Sequence, residues 1–384
     1  MLGDLAVYLA AQSHEVTVIT SRQLYEDSAA RLAARERVHG VEVVRVPTTR
    51  FGRGNVLGRA LDYATFYLSA SVALWRACRP GVTVVAKTDP PLISVPAAMV
   101  CRLRGARLVN WLQDLFPEVA QASGARFALG WPGRLLVRLR DSSLRRAALN
   151  VALGERMAER LRARAVPAER IAVIGNWADG ANVRPVASAA NPLRSAWGLG
   201  DDFVVAYSGN MGRVHEFATI LEAMRLLRQS AGVRFLFIGG GRWRGWLEEA
   251  VRREALQLAM FKPYQPQETL PLSLGVADVH LVSLQPAMEG LVVPSKFYGI
   301  TAAGRPTVFI GDADGEIARL LARHEIGMTV APGDAAGLVR ALQALRDDPA
   351  ARAAMGLRAR ALFEQNFDRP HAMRRWEAAL APTL

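Results

Sequence analysis

Short runs of apolar and β-branched residues alternate with helical patterns along nearly the whole chain, and this alternation constrains the fold most. The pattern is typical of a parallel sheet whose strands are joined by crossover helices. The sequence predicts strands in two series, at 16–20, 41–46, 82–86, 107–111, 150–153 and 171–174, and then at 203–208, 234–239, 260–261, 279–284, 307–310 and 327–330. We therefore predict an α/β protein.

A segment rich in Ala, Asn and Pro, residues 179–200, separates the two series and lacks periodicity. We predict a linker there, between an N-terminal Rossmann-like domain at 1–178 and a C-terminal one at 201–369. The helix at 370–384 is predicted to return to the first domain. Because such sheets bind ligands at the carboxyl ends of their strands, we expect the site in an interdomain cleft.

The chain opens directly on a helical pattern, Leu2 to Ala11, which leads into the strand at 16–20. The usual first strand of a Rossmann-like domain and its glycine-rich turn are missing from this pattern. A sheet without a central strand would expose its edges. We therefore expect a truncated N-terminus, caused by a start codon assigned too late.

The formal charge of +13 is concentrated in the first half of the chain. Residues 1–178 hold 25 Lys and Arg against 14 Asp and Glu, whereas residues 179–384 hold 23 against 21. This excess fits an anionic membrane surface or a basic solvated face, and both interpretations stay open. No helix-turn-helix, zinc-finger or aromatic-basic pattern accompanies it, so we expect no nucleic acid partner.

Two segments of the first half favour contact with a membrane. Residues 135–148 interleave leucines with arginines, as in helices that lie on anionic bilayers, and the segment 51–75 places aromatic residues among apolar ones. For residues 66–75 we predict a core helix instead. No apolar run reaches the roughly 18–20 residues of a membrane span. Cys78 and Cys101 are too few for a disulfide framework or a thiolate metal site.

Two strand-to-helix turns carry residues suited to a diphosphate. In the first, Gly209, Asn210, Gly212 and Arg213 follow a buried strand, and the glycines let backbone N–H groups approach a phosphate. In the second, about eighty residues later, Ser295 and Lys296 begin a helix. Cations there would stabilise the charge of a departing diphosphate, so no metal is required.

Carboxylates occupy further strand ends. Asp114 and Glu118 follow the predicted strand at 107–111, where they would orient an acceptor hydroxyl or take its proton, or else cap a turn and face solvent. Glu316 begins a late helix and is a further candidate to contact the donor. We interpret Asp312-Ala313-Asp314 as a loop rather than a metal motif. Gly239-Gly240-Gly241 does not complete a dinucleotide fingerprint.

These motifs together resemble the family 4 glycosyltransferases of the GT-B fold, especially the branch that builds bacterial O-antigen or colanic acid-type polysaccharide. The resemblance rests on the glycine-rich turn, on residues 294–304 and on the Gly333-Asp334 turn. Residues 14–20, 113–118 and 176–177 are also similar. It spans nearly the whole chain beyond the missing first strand.

The resemblance implies a retaining hexosyl or N-acetylhexosaminyl transfer from a nucleoside diphosphate sugar to a lipid-linked glycan acceptor in surface polysaccharide biosynthesis. It also implies that Arg213 and Lys296 bind the diphosphate and that Glu289 lies near the sugar. No metal or cofactor is then expected. The resemblance places such an enzyme in the cytoplasm, peripherally on the inner face of the membrane.

The chain departs from the family pattern at two places. The usual lysine shortly after the glycine-rich turn is absent, since His215 and Glu216 occupy that region. Many relatives carry two glutamates eight positions apart, whereas Leu291 and Gly299 stand there in this chain, with Glu289 close by. The nucleotide base is therefore not predicted. Two alternatives remain: a GT-B sugar-nucleotide epimerase, which needs no acceptor, and a noncatalytic or truncated GT-B protein that binds a partner or membrane.

Overall fold

The computed structural model describes residues 1–23, 32–51, 56–125, 128 and 130–381. The chain divides into two compact units. Unit 1 contains residues 1–153 and 158–174 together with the C-terminal residues from Met373, and unit 2 contains residues 154–157 and 175–372. The segment 179–200 belongs to unit 2, although the sequence indicated a separate linker.

The described strands of unit 1 form two sheets. They are β1 (Thr17–Ser21), β2 (Arg35–Val38), β3 (Val41–Val46), β4 (Thr83–Lys87), β5 (Arg107–Trp111), β6 (Leu149–Ala152) and β7 (Ile171–Val173). One sheet has the order β1-β3-β2 and the other the order β4-β5-β6-β7. Strands β1 and β4 are therefore sheet edges within the described residues, and most of their residues are only half-buried.

No pattern in the sequence predicts β2, which pairs with β3 in an antiparallel hairpin. His39 and Gly40 both adopt positive φ angles, of 48° and 83°, at the turn. Positive φ at both central residues is the geometry that joins twisted strands in a two-residue hairpin. Strand β2 escaped prediction because all four of its residues, Arg35–Val38, are exposed, so it lacks an apolar face.

The helices up to the start of unit 2 follow the predicted crossover pattern. They are α1 (Leu2–Ala11), α2 (Val56–Ala77), α3 (Ser94–Arg104), α4 (Glu118–Ala122), α5 (Gly130–Arg146) and α6 (Glu155–Arg162). Helix α3 packs between α2 and α5. In the part of the chain that is described, no helix is long and apolar enough to cross a membrane.

Unit 2 contains a six-stranded parallel sheet, counted over the described residues, with the order β10-β9-β8-β11-β12-β13. Its strands are β8 (Phe203–Ser208), β9 (Val233–Ile238), β10 (Ala259–Lys262), β11 (Val279–Ser283), β12 (Thr307–Ile310) and β13 (Gly327–Val330). Strands β8, β11 and β12 are buried along nearly their whole length. Burial on both faces explains why these segments read as continuous apolar runs.

The remaining helices belong to unit 2, apart from the end of α15. They are α7 (Pro192–Ala196), α8 (Ala218–Leu226), α9 (Arg242–Arg253), α10 (Leu270–Gly275), α11 (Lys296–Ala302), α12 (Glu316–His324), α13 (Ala335–Asp347), α14 (Pro349–Asn366) and α15 (Arg369–Leu380). Helix α7 lies within the segment that was predicted as a linker. Asn191 caps this helix, since its Oδ1 accepts from the N–H of Leu193 at 3.0 Å.

The end of α15 packs into unit 1. The rings of Trp376 and Trp111 are both fully buried, with centroids 4.7 Å apart. The hydroxyl of Tyr8, in α1, donates to the carboxylate of Glu377 at 2.7 Å. Aromatic burial of this size is a large contribution to a domain core, so the C-terminal residues form part of the core of unit 1.

Candidate functional site

Both predicted phosphate-binding turns lie at the same place in unit 2. The strand order reverses between β8 and β11, which are hydrogen-bonded neighbours. At such a reversal the loops that leave the carboxyl ends of the two strands diverge and open a crevice that binds ligands. The loop after β8 contains Gly209–Arg213, and the segment after β11 leads to Lys296 at the start of α11.

Lys296 connects the two turns. Its ammonium group donates to the hydroxyl of Tyr207 and lies 3.4 Å from the carbonyl oxygen of Asn210. The same Nζ lies 3.6 Å from the centroid of the Tyr207 ring, which favours a cation electrostatically. Burial lowers the pKa of Lys296 well below its usual value. A bound anion would offset this desolvation and favour the charged ammonium.

The glycines of the site permit close approach of backbone segments. Gly209 has a φ of +117°, and a Cβ atom there would lie 3.6 Å from Cε of Lys296. A Cβ atom on Gly239, at the end of β9, would lie 2.3 Å from the carbonyl oxygen of Gly209. Only glycine fits at position 239, since the neighbouring backbone cannot shift away as a side chain could.

Tyr264 is a feature of this site that sequence reasoning missed. It follows β10, is 60 % exposed, and its ring would lie 3.2 Å from a Cβ atom on Gly240. An exposed aromatic side chain beside the carboxyl ends of β9 and β10 offers a flat apolar surface. The signal in the sequence was an aromatic residue two positions after a strand, and it is weak because strands often end near aromatic residues.

Arg213 and Ser295 line the two turns and are both exposed. The guanidinium of Arg213 makes no hydrogen bond or ion pair with the described residues, while its carbonyl oxygen accepts from Nε2 of Gln285 at 3.0 Å. Ser295 precedes α11 without a side-chain cap. Because α11 has only seven residues, we expect side-chain cations rather than the helix dipole to attract an anion here.

His215 follows the glycine-rich turn, and its imidazole is a neutral structural group. It is buried, with Nδ1 2.6 Å from the carbonyl oxygen of Ser283 at the end of β11. Burial, together with the nearby charge of Lys296, lowers its pKa to about 3. The imidazole therefore joins the first turn to β11 and leaves Lys296 and Arg213 as the cations of the site.

Glu289 and Glu316 interact with backbone N–H groups. Glu289 is buried, and its Oε1 accepts from the N–H of Glu316 at 2.8 Å, at the start of α12. Oε2 of Glu316 accepts in turn from the N–H of Arg156 at 2.9 Å. Burial raises the pKa of both carboxyl groups. Each glutamate thus has a structural partner in addition to the roles that the sequence predicted.

The substitution Glu289→Gln tests the charge of this side chain, because glutamine removes the charge but can still accept the hydrogen bond. We expect Glu289→Gln to keep the bond to the N–H of Glu316 and the melting temperature. If the carboxylate faces the sugar, the turnover number falls about 10²-fold, as for loss of one preorganised electrostatic group. Steady-state kinetics and thermal melts of Glu289→Gln and the matched Glu316→Gln measure this. Wild-type turnover in Glu289→Gln would leave the residue a purely structural role.

Asp114 lies beyond β5 in unit 1 and lines a small pocket. The other lining residues come from the ends of β4 and β5 and from α3 and α5: Thr88, Leu92, Ser94, Leu112, Leu115, Phe116 and Arg140. Asp114 keeps contact with solvent. Partial burial of its carboxyl group and the nearby carboxylate of Asp89 raise its pKa to about 6. Such a carboxylate is ionised at neutral pH and suited to accept a proton.

Glu118 is held by two arginines, one of which, Arg140, also lines this pocket. Its Oε1 accepts from the guanidinium groups of Arg140 and Arg164, and the same arginines pair with Asp141. Arg140 and Asp141 are buried. Breaking such a cluster leaves uncompensated charges, which costs several kcal/mol. The sequence paired Asp114 with Glu118; in the structure Glu118 is held in ion pairs with Arg140 and Arg164, whereas Asp114 keeps contact with solvent.

The Asp-x-Asp sequence at 312–314 forms a loop with local partners. Oδ1 of Asp312 accepts from the N–H of Asp314 at 2.9 Å, and the carboxylate of Asp314 pairs with both Nε and Nη2 of Arg319. Over the described ranges, no group of three or more His, Cys, Asp or Glu side chains is placed to hold a metal ion.

Comparison with known families agrees with this architecture. Residues 1–177 match the model of a glycosyl transferase 4-like domain, and residues 202–348 match the model of glycosyl transferases group 1. A protein of Escherichia coli (strain K12) described as the colanic acid biosynthesis glycosyl transferase WcaI is 29 % identical over 331 residues, covering 83 % of this chain and 80 % of that protein. The glycosyltransferase described as WbjE of Pseudomonas aeruginosa is 27 % identical over 339 residues, covering 87 % and 83 %.

Solved structures share the fold at low sequence identity. Sucrose-phosphate synthase from Thermosynechococcus elongatus superposes with a TM-score of 0.80 at 17 % identity, covering 99 % of this chain and 92 % of that one. Anabaena HepE, solved with UDP and glucose, superposes with a TM-score of 0.70 at 18 % identity, covering 89 % and 87 %. With both of its domain models matched along most of its length, this chain belongs to the family 4 glycosyltransferases of the GT-B fold.

Proposed function

We propose that this protein is a retaining glycosyltransferase that moves a hexosyl or N-acetylhexosaminyl group from a nucleoside diphosphate sugar to a lipid-linked glycan acceptor. The product would belong to surface polysaccharide biosynthesis. The observation that carries the donor assignment is Lys296, whose partly desolvated ammonium lies beside the glycine-rich turn at the strand-order reversal of unit 2.

The site residues suit the charge changes of the reaction. When the bond between the sugar and the diphosphate breaks, negative charge builds on the leaving phosphate oxygens. Lys296 and the guanidinium of Arg213 would neutralise this charge, and the turn at Gly209–Gly212 would offer backbone N–H groups. Because fixed cations supply this stabilisation, we propose that the reaction proceeds without a metal ion or cofactor.

Tyr207 would hold the lysine in position. Its ring and hydroxyl both contact the Lys296 ammonium, and burial raises the pKa of the phenol well above its usual value, so that the hydroxyl stays protonated. A phenol that stays neutral cannot form a competing ion pair with Lys296. The ammonium therefore keeps its capacity to pair with a diphosphate.

On the acceptor side, we assign Asp114 in unit 1 to the acceptor hydroxyl. A carboxylate with a pKa near 6 is ionised at neutral pH yet basic enough to orient the hydroxyl and receive its proton. The pocket beside it combines apolar side chains with Thr88 and Arg140.

Known proteins support the donor and the pathway class. HepE is described in complex with UDP and glucose and, in another structure, with UDP-glucose. WcaI is described as a glycosyl transferase of colanic acid biosynthesis. The nucleotide base stays open, because Gly299 occupies the position of a glutamate that binds ribose in many relatives.

The proposal is tested by nucleotide release from a panel of UDP-, GDP- and ADP-sugars, with and without a polyprenyl-diphosphate-linked saccharide. We expect release to require the acceptor, to persist in EDTA, and to give a product whose anomeric proton has the same configuration as the donor sugar. Conversion of the donor without acceptor would indicate an epimerase. Absence of both turnover and nucleotide binding across the panel would contradict the proposal and favour a noncatalytic protein.

A further inference from the structure

The outer face of α2 carries an apolar stripe exposed to solvent. Leu61, Leu68, Val72 and Trp75 are all exposed, Leu68 to 70 % and Val72 to 52 %. At 3.6 residues per turn these side chains fall within about 60° of one another around the helix. The sequence predicted a core helix for residues 66–75. That prediction is wrong for this stripe, because the helix packs with its other face against β1, β3 and α3.

The two helices beside α2 continue this surface. Helix α3 packs against α2 and presents Met99 and Leu103, which are 60 % and 63 % exposed and one turn apart. Helix α5 packs against α3 and presents Trp131, Leu135 and Leu139, spaced four residues apart. Three neighbouring helices therefore expose apolar stripes, whereas most of the exposed surface of a globular domain mixes apolar and polar groups.

The charges around these stripes are almost entirely positive. The exposed cations on the three helices are Arg59, Arg76, Arg102, Arg134, Arg138, Arg145 and Arg146. On α5, Arg134, Arg138 and Arg145 fall within about 40° of one another, directly beside the apolar stripe. The two carboxylates of these helices already have partners. Asp62 accepts from the hydroxyl of Thr49 at 2.7 Å, and the buried Asp141 pairs with Arg140.

We propose that the exposed face of α2, α3 and α5, which we call the three-helix face, binds an anionic phospholipid bilayer. Leucines and tryptophans would enter the interface between headgroups and acyl chains, and the arginines would contact lipid phosphates. The inference extends the proposed lipid-linked acceptor by naming the surface on which such an acceptor is met. Binding to vesicles is measured without donor or acceptor, so its outcome is independent of the transfer reaction.

The charge pattern favours a bilayer over a second copy of the chain. A symmetric interface would bring the arginines of one three-helix face against the same arginines of the other, and such like-charge contacts oppose association. An anionic bilayer complements these arginines. Trp75 and Trp131 also have the amphipathic character that favours the membrane interface, and the Arg104 guanidinium lies 5.0 Å from the Trp75 ring centroid.

Flotation of the full chain with vesicles tests this surface. We expect binding to vesicles of phosphatidylcholine with phosphatidylglycerol, weak binding to phosphatidylcholine alone, and loss of binding at high salt. Leu68→Glu with Val72→Glu should lower the partition coefficient roughly tenfold or more, and Arg134→Gln with Arg138→Gln should do the same. The matched control Leu357→Glu, at a leucine of unit 2 that is 74 % exposed, should bind like the wild type.

Fold and self-association are measured on the same variants. Circular dichroism and the thermal shift given by the preferred nucleotide should be unchanged in all of them, which separates membrane binding from the donor site. Wild-type partitioning of both double variants, or no vesicle binding by the wild-type chain, overturns the proposal. A change from dimer to monomer in light scattering, with vesicle binding unchanged, assigns the three-helix face to a second copy and also overturns it.

Discussion

Lys296→Met is expected to lower kcat/KM for the nucleotide sugar by about 10³-fold. Removing one preorganised group that stabilises developing charge typically costs 10²- to 10³-fold, and here the group is a full positive charge beside the leaving diphosphate. The methionine keeps the apolar stem against Gly209 and Tyr207. Initial rates across donor concentrations, with nucleotide binding followed by thermal shift, give the result.

The fold of this variant should be at least as stable as the wild type at neutral pH. Burial lowers the pKa of Lys296, so the folded protein binds fewer protons than the unfolded chain between the lowered and the ordinary lysine pKa. Stability therefore falls as the pH falls through this window and is regained as the pH rises. Methionine removes that dependence, and melts from pH 6 to 10 should show the difference.

Lys262→Met is the matched control. Lys262 belongs to the same unit and lies over the ring of Trp197, with Nζ 5.3 Å from the centroid. We expect it to keep donor binding within a few-fold. Calorimetry in buffers of different ionisation enthalpy should also show that the wild type takes up protons when it binds the nucleotide, and that Lys296→Met does not. Unchanged donor binding in Lys296→Met would remove the basis of the donor assignment.

Asp114→Asn is expected to lower turnover by about 10²- to 10⁴-fold, the range for loss of a positioned general base, while nucleotide binding stays unchanged. In the wild type, activity should fall as the pH drops below about 6, because the carboxyl group with that pKa becomes protonated. A pH profile of kcat/KM for the acceptor, together with nucleotide binding, measures both effects.

Although Asp114→Asn is expected to lower turnover, it is expected to raise the stability of the fold. Because the folded pKa of Asp114 lies above its ordinary value, the wild type loses stability as the pH rises from about 4 to about 6. Asparagine carries no charge, so a gain in melting temperature should be seen at pH 7 and vanish near pH 4. Solvent contact of Asp114 keeps this gain small.

Asp89→Asn serves as the control for the loss of activity at low pH. Asp89 is largely exposed, and its charge contributes to the raised pKa of Asp114. Removing the charge of Asp89 should shift the loss of activity to lower pH, and the variant should retain activity at neutral pH. Wild-type turnover and an unshifted pH profile in Asp114→Asn would place the acceptor base elsewhere.

Strand positions and the class of fold were predicted well from local pattern. Five strands, at 41–46, 107–111, 203–208, 307–310 and 327–330, have the predicted bounds. Buried parallel strands concentrate β-branched residues, so their identity is encoded locally. Strand β2 was missed because its stability comes from pairing with β3, and its own residues carry no apolar pattern.

The candidate donor site was predictable in part. Gly209 and Lys296 stand out in combination, because a glycine-rich turn and a lysine at a second strand-to-helix turn together suit a phosphate. The role of Tyr207 was not predictable, since a tyrosine near the end of a buried strand reads as core until its distance to Lys296 is known. The same limit applies to Glu289, whose N–H partner at residue 316 lies far away in sequence.

The sequence by itself determined the alternation of strands and helices, the family and the two turns that carry the diphosphate residues, because periodicity and turn chemistry are local properties. Only the tertiary structure decided which side chains meet and which faces stay exposed. It brought Lys296 to Tyr207, placed Glu118 in an ion cluster with Arg140, and left the stripe of α2 facing solvent. These outcomes depend on packing between segments distant in the chain, which no local pattern records.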